Sequence, residues 1–310
     1  MKKILFLMSI SAGLLFALSP SSNAGTTAFP FLLENDVGTS GSALGGAYVG
    51  WSKSTDGFIS NPASSAFRRK RSVIASFGNF WGLFNAGFTA YSQKIDDKNS
   101  VSAGANIVSY GNFTRTDDEG NETGNFSGND FEFVGSYARR LNKNFAIGAN
   151  GKLLYSSIDT FSSSAMALDI GVMYRDRRDD ARAGLVLSNL GAMLSAYGTD
   201  KPSLPWAVKL GGYYDLPGFP GEIGAQIETA ADVDFCARVG IEFDFLKPLF
   251  FRIGYVYRPK PSEDPSNSEQ LNGLTAGAGI NYKKFTFGYS IQNYGVLGFV
   301  HRAEIGYTSF

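Results

Sequence analysis

From residue 71 onward the chain alternates with a period of two, and one face of each run is apolar while the other is small. In "KFTFGYSIQ", Phe285, Phe287, Tyr289 and Ile291 share a face, and Lys284, Thr286, Gly288, Ser290 and Gln292 share the other. In "DFCARVGIEFDF", Phe235, Ala237, Val239, Ile241, Phe243 and Phe245 alternate with Cys236, Arg238, Gly240, Glu242 and Asp244. "SAMALDIGVMY" sets Met166, Leu168, Ile170, Val172 and Tyr174 against Ala167, Asp169 and Gly171. Such runs are strands with one apolar face. A soluble sandwich would show Thr, Lys or Glu to water on the other face. Here that face carries Gly104, Gly148, Gly211, Gly224, Gly240, Gly277, Gly279 and Gly288. Small residues belong where space is tight. A barrel with its apolar face toward lipid and its small face toward a crowded lumen accounts for both.

The reading is therefore an all-β, transmembrane antiparallel barrel. Fourteen strands are expected near 71–80, 84–94, 100–111, 130–141, 144–157, 163–175, 181–190, 205–215, 221–230, 235–246, 248–258, 271–282, 284–293 and 297–310. Most have the roughly 9–11 residues that cross a bilayer obliquely. The connections sort by length. Those at 95–99, 142–143, 176–180, 216–220, 247 and 283 are short, as on a periplasmic side, and the long ones at 112–129, 191–204 and 259–270 fall on the opposite side. The sheet must close, because an open edge in lipid leaves backbone groups unpaired. The chain ends in Phe310, a terminal aromatic of the kind the barrel-assembly machinery reads. Tyr307 lies on the other parity, and a small bulge near Thr308-Ser309 is expected to bring the two together.

Upstream, residues 1–24 read as a secretory signal peptide: Lys2 and Lys3, an apolar run from Ile4 to Leu18, then Ser22-Asn23-Ala24. Residues 25–69 are not strand. Phe29, Phe31, Leu32, Leu33, Trp51 and Phe58 make the segment too apolar for a disordered tail. We expect an N-terminal plug at 25–69 and the barrel at 70–310. Gly45-Gly46 allow a tight turn. Pro62 fixes its own backbone and biases Asn61 away from helix, and Asn61 can bond its own neighbouring backbone in a turn; the plug turn is read as Asn61-Pro62-Ala63. Ten inward charges of both signs are expected in the lumen: Lys152, Asp169, Lys209, Glu228, Arg238, Glu242, Asp244, Arg252, Arg302 and Glu304. A balanced set suits ion pairs and hydrogen bonds tying plug to wall better than a selective pore.

Lys plus Arg number 28 and Asp plus Glu 28, so no net field points to nucleic acid. The lone Cys236 cannot form an internal disulfide. His301 is the only histidine. It falls on the outward face of the last strand with no paired acid or serine, and no G-x-S-x-G occurs, so no enzyme is expected. The span Gly38 to Gly46 is no dinucleotide fingerprint, and no cofactor is expected. Asp117-Asp118-Glu119 and "SEDPSNSE" read as solvated outer loops or lipopolysaccharide bridges, not as a metal site.

"GTTAFPFL", "ALGGAYVG" and "DGFISNPASSAF" resemble the N-terminal signature of the PorV/PorQ-like outer-membrane proteins, which belong with the FadL-type transporters. The resemblance continues through "LDIGVMY", "GLVLSNLG", "PSLPWAVKLGGYYDL", "VGIEF", "FRIGYVYRP" and "LTAGAGINY" to "YGVLGFVHRAEIGYTSF". It implies a fourteen-stranded barrel in the outer membrane of a Gram-negative-type bacterium, with Asn61-Pro62-Ala63 in an N-terminal hatch. It also implies surrounding outer-membrane lipids and one of two partner classes. A PorV-type component of type IX-like protein secretion or surface attachment would meet secreted cargo or secretion machinery. A FadL-like transporter would bind a hydrophobic small molecule in an apolar pocket between loops and plug.

Overall fold

The computed structural model describes residues 27–34, 36–51, 53–68, 70–231, 235–258 and 272–309. The expected signal peptide at 1–24, the expected 259–270 connection with its "SEDPSNSE" run, and Phe310 lie outside them.

Fourteen antiparallel strands close into one barrel, each paired with its sequence neighbours and β1 with β14. They are β1 Ser72–Phe80, β2 Phe84–Lys94, β3 Asn99–Thr116, β4 Glu122–Arg140, β5 Phe145–Ile158, β6 Phe161–Arg175 and β7 Ala181–Ser195. The second half comprises β8 Ala207–Asp215, β9 Gly221–Ala230, β10 Cys236–Phe243, β11 Leu249–Tyr257, β12 Leu274–Tyr282, β13 Phe285–Asn293 and β14 Phe299–Thr308. The parity read from the sequence holds. Phe285, Phe287 and Tyr289 are exposed on the outside, whereas Ser290 and Gln292 are buried inside. Met166, Leu168, Ile170 and Val172 form the same outer band on β6, with Ala167 and Asp169 buried between them.

Two differences concern the ends of strands. The expected 112–129 loop is the upper part of a long hairpin. β3 and β4 stay paired through Arg115↔Gly124, with register shifts at Ser109/Gly111 and Arg115/Thr116. Beyond the bilayer both faces of a hairpin are wet, so this stretch needs no apolar face and shows no alternation. A cross-strand stack of Phe113 on Phe126, 5.3 Å between centroids, marks it instead. β7 likewise runs on to Ser195. At the other end, β14 pairs with β1 in unbroken register from Val300 to Thr308, so no bulge precedes Ser309.

The N-terminal segment lies inside this cylinder. It contains α1 Pro30–Glu34, α2 Thr39–Ala43, α3 Gly57–Ser60 and a 3-10 turn at Pro62–Phe67. Helices this short have no stability of their own. Packing holds them: residues 38–51 are buried throughout, and so are all six residues of the 3-10 turn. The described part of the segment begins at the long-loop end, where the Ala28 amide donates to Ser203 O at 2.9 Å, and leads at the short-turn end into β1.

Candidate functional site

The feature that most shapes what this barrel can do is the contact between the segment and the inner wall. At the long-loop end, α1 fills the space under the loops. Phe29, Leu32 and Leu33 form one apolar cluster with Val108, Leu154, Ala165, Ala167, Met193 and Leu204. Phe31 adds edge-on contacts to Phe80 at 4.8 Å and Phe84 at 5.0 Å.

Halfway down, backbone groups of the segment meet polar side chains of the wall. The Thr39 amide donates to Glu304 Oε2 at 3.1 Å, and Thr275 Oγ1 donates to Ala43 O at 2.9 Å. Ser42 Oγ bonds Ser290 Oγ at 2.9 Å and accepts from Arg302 at 3.1 Å. Gly45 and Gly46 have φ of 64° and 72°, the left-handed region that glycine adopts without strain. Space is as demanding as conformation there. A Cβ on Gly45 would sit 2.8 Å from the Tyr255 backbone nitrogen, and one on Gly46 would sit 2.3 Å from the Arg238 guanidinium. Arg238 in turn donates to Gly45 O at 3.3 Å. The next turn is held by Gln226, whose Oε1 accepts from the amides of both Tyr48 and Val49 at 3.0 Å. Trp51 is fully buried and packs edge-on against Tyr213 at 4.8 Å. Asp56 accepts from Tyr48 Oη at 2.8 Å and from Ser54. Burial pushes its carboxyl above the ordinary value, although those two hydrogen bonds pull it back down.

Asn61, Pro62 and Ala63 stand against the opposite wall. Asn61 is extended (φ −147°, ψ 108°), as the residue before a proline should be. Its Oδ1 caps the 3-10 turn by accepting from the Ala63 amide at 3.0 Å. Its Nδ2 donates twice, to Val49 O at 2.9 Å and to Val172 O on β6 at 3.2 Å. One fully buried side chain thus ties turn, segment and wall together. The wall is made of glycine where this turn touches it. A Cβ on Gly148 would lie 2.5 Å from the Pro62 carbonyl carbon, and one on Gly171 would lie 2.3 Å from Asn61 Oδ1.

Nine of the ten expected lumen charges sit on strands and face inward: Lys152, Asp169, Lys209, Glu228, Arg238, Glu242, Arg252, Arg302 and Glu304. Asp244 does not. β10 ends at Phe243, and Asp244 stands in the following turn, half exposed and 3.3 Å from Lys247. The pairing also differs from the expectation. Most ion pairs join wall to wall: Lys152 with Asp169 at 2.9 Å, Arg238 with Glu228 at 2.6 Å, and Arg252 with Glu242 at 2.7 Å. Lys209 lies directly across from Glu228 in the β8–β9 register. The segment is held largely through its backbone, and Lys53 makes an ion pair with Glu222 of the wall. Arg182 and Glu222, 3.0 Å apart, and the buried Glu132 were missed by sequence reasoning. For Glu132 parity alone would have served, since Phe131 and Phe133 flank it on the outer face.

The Lys152–Asp169 pair gives a test of how these charges act. Asp169 also accepts from Asn150 at 2.9 Å and from the Asn189 amide at 2.8 Å, while Lys152 donates to Asn189 Oδ1 at 2.8 Å. Removing one partner of a buried pair costs about 3–5 kcal/mol, whereas replacing both with apolar groups can be near neutral. Asp169→Ala is expected to lower the barrel's unfolding midpoint in urea sharply, and Lys152→Met with Asp169→Leu is expected to recover part of the loss, because the Asn150 and Asn189 groups that bonded the pair stay unpaired. Equal losses for single and double variants would contradict this account.

The family model described as Type IX secretion system protein PorV matches residues 19–220. No curated protein matches the chain. Among solved structures, a Pseudomonas aeruginosa FadL homologue is 12% identical, covering 87% of this chain and 98% of its own, at a TM-score of 0.59. The Pseudomonas putida toluene transporter TodX is also 12% identical, covering 86% of this chain and 95% of its own, at 0.58. The CymD monoaromatic hydrocarbon channel reaches 0.60 over 88% of this chain and 97% of its own, again at 12% identity. At such identities the structural likeness speaks for the fold alone, a closed β-barrel. With the family model spanning most of the chain, this protein belongs to the PorV family of type IX secretion system outer-membrane proteins.

Proposed function

We propose that the chain is a plugged outer-membrane barrel serving protein export or surface attachment in a type IX-like system, with residues 25–69 as a resident plug and the outer loops as the contact surface for cargo or machinery. The observation that carries this reading is the position of α1. The apolar space beneath the outer loops, where a hydrophobic small molecule would need to bind, is occupied by the chain's own Phe29, Leu32 and Leu33. A FadL-like transporter of hydrophobic molecules would require that helix to leave at each passage. Its apolar cluster and its aromatic contacts to Phe80 and Phe84 oppose such an exit. The experiment is mild detergent extraction from the native membrane, followed by mass spectrometry of bound proteins and bound lipids together. Stoichiometric protein partners of the secretion machinery are the expected result. A stoichiometric apolar small molecule with no protein partner would instead favour the transporter.

A further inference from the structure

Gly38, the residue before α2, lies where a carboxyl group of the segment meets one of the wall. A Cβ there would collide with Asp56 Oδ2 and lie 3.0 Å from Glu304 Oε2, so both oxygens stand close to one point. The geometry points to a proton-operated latch: Asp56 keeps a proton on Oδ2, donates it to Glu304 Oε2 on β14, and so joins segment to wall until rising pH removes it. The inference deepens, and rests on, the reading of residues 25–69 as a resident plug.

Three observations lead there. The first is that the two carboxyls have no countercharge of their own. Both are buried, Asp56 2% and Glu304 8% exposed. Among the described residues neither makes an ion pair. The cations nearby are bonded to other groups. Arg252 on β11 holds Glu242 at 2.7 Å, Arg302 on β14 donates to Ser42 and Gln292, and Arg68 donates to Lys53 O, Ser72 Oγ and Thr55 Oγ1. Asp36, another acid of the segment, faces Arg238 over Gly46. Two carboxyls that share a buried place resist ionising together. Burial pushes the Asp56 carboxyl above its ordinary value, against the Ser54 and Tyr48 hydrogen bonds and the field of Arg252.

The second is the placing of donors. Tyr48 Oη and Ser54 Oγ both donate to Asp56 Oδ1, which leaves Oδ2 for Glu304. Glu304 Oε2 accepts from the Thr39 amide at 3.1 Å and, as a carboxylate oxygen, has room for a second donor. A hydrogen on Asp56 Oδ2 supplies it, in a charge-assisted bond.

The third is position. Glu304 lines a cavity of about 400 Å³ at the short-turn end. Asp56 and Gly38 line another, of about 50 Å³, that reaches Leu32 and Leu33 of α1. The latch stands between these two hollows, and opening it would join them. Because docking favours the protonated Asp56, it is strongest at low pH. It weakens as pH rises from the ordinary carboxylate value, about 4, through the raised one.

The test uses the full-length protein in a neutral detergent and infrared difference spectra from about pH 5 to pH 9, where ordinary carboxyls are ionised over most of the range. His301, the only histidine, lies exposed on the outer face, away from the pair. A protonated-carboxyl C=O band is expected at neutral pH, vanishing as the pH rises. Asp56→Asn is expected to remove it, and Glu304→Gln to shift it and lower the pH at which it vanishes, with heat-modifiable gel mobility showing that both variants are folded. In planar bilayers the leak of the parent is expected to rise several-fold as the band vanishes. Asp56→Asn, whose amide can donate to Glu304 at any of these pH values, is expected to hold the leak constant. A band indifferent to either substitution would overturn the proposal, and so would a leak that does not follow the band. Steady high conductance at every pH would contradict the resident plug instead, and the band would still show whether Asp56 holds its proton against Glu304.

Discussion

Phe287→Arg is expected to cripple assembly, while Ser290→Arg, three residues away on the same strand, is expected to leave assembly intact and disturb the interior. Phe287 is 44% exposed on the outer face of β13, flanked by Phe285 at 6.3 Å. A cation there faces hydrocarbon, and near mid-membrane that costs about 2–4 kcal/mol. Ser290 is completely buried and bonds Ser42 on α2. An arginine in its place would meet no lipid. It would stand beside Arg302, which donates to the same Ser42 hydroxyl, and would push α2 away from the wall. Heat-modifiable mobility reports assembly and bilayer conductance reports the interior. Equal assembly defects for the two variants would contradict the register of β13 and, through it, the closure with β14.

The second large effect is expected at Gly148, where the wall meets the backbone of the segment. The atoms a new side chain would strike are the carbonyl carbon and oxygen of Pro62 and the amide nitrogen of Ala63, at 2.5–2.7 Å. These are backbone atoms of a turn that Asn61 pins from the other side, so none can swing away as a side chain could. Overpacking a tight interior costs about 1–3 kcal/mol, and a clash with fixed backbone belongs at the upper end. Gly148→Val should therefore expel the Asn-Pro-Ala turn from its seat. A Cβ on Gly135, also on a wall strand, would meet nothing within 4 Å, so Gly135→Val serves as the control. Limited proteolysis from the periplasmic side should cut the segment in Gly148→Val and spare it in Gly135→Val. Identical protection in both would mean that the turn does not rely on this contact.

Much of the barrel was legible because lipid imposes a rule on every second residue. Where that rule applies, β2 and β9 match the residues expected of them. Where it lapses, as in Phe113 to Phe126 above the membrane, pairing continues without alternation and reads as loop. The interior was legible in part. The small face of Gly148, Gly240 and Gly277 signalled crowding, and Asn61-Pro62-Ala63 signalled a turn. Their partners were not legible, because Asn61 reaches Val172 and Thr39 reaches Glu304, residues far away in sequence. Arg182 was hidden for another reason: in "RDRRDDAR" it reads as one more charge of an exposed turn, although it begins β7 and turns inward to Glu222.

The central claim is that the N-terminal segment fills the barrel and keeps it closed, and single-channel recording in planar bilayers tests it most directly. The intact protein is expected to be nearly silent. Deleting residues 25–66 leaves the fourteen strands and their closure intact, so the variant should still insert, and its emptied lumen should conduct ions steadily. Asn61→Ala with Pro62→Gly should give an intermediate, noisy leak, because the turn loses its cap and its preset shape while the segment remains. A silent deletion variant, or an intact protein with steady high conductance, would contradict the account.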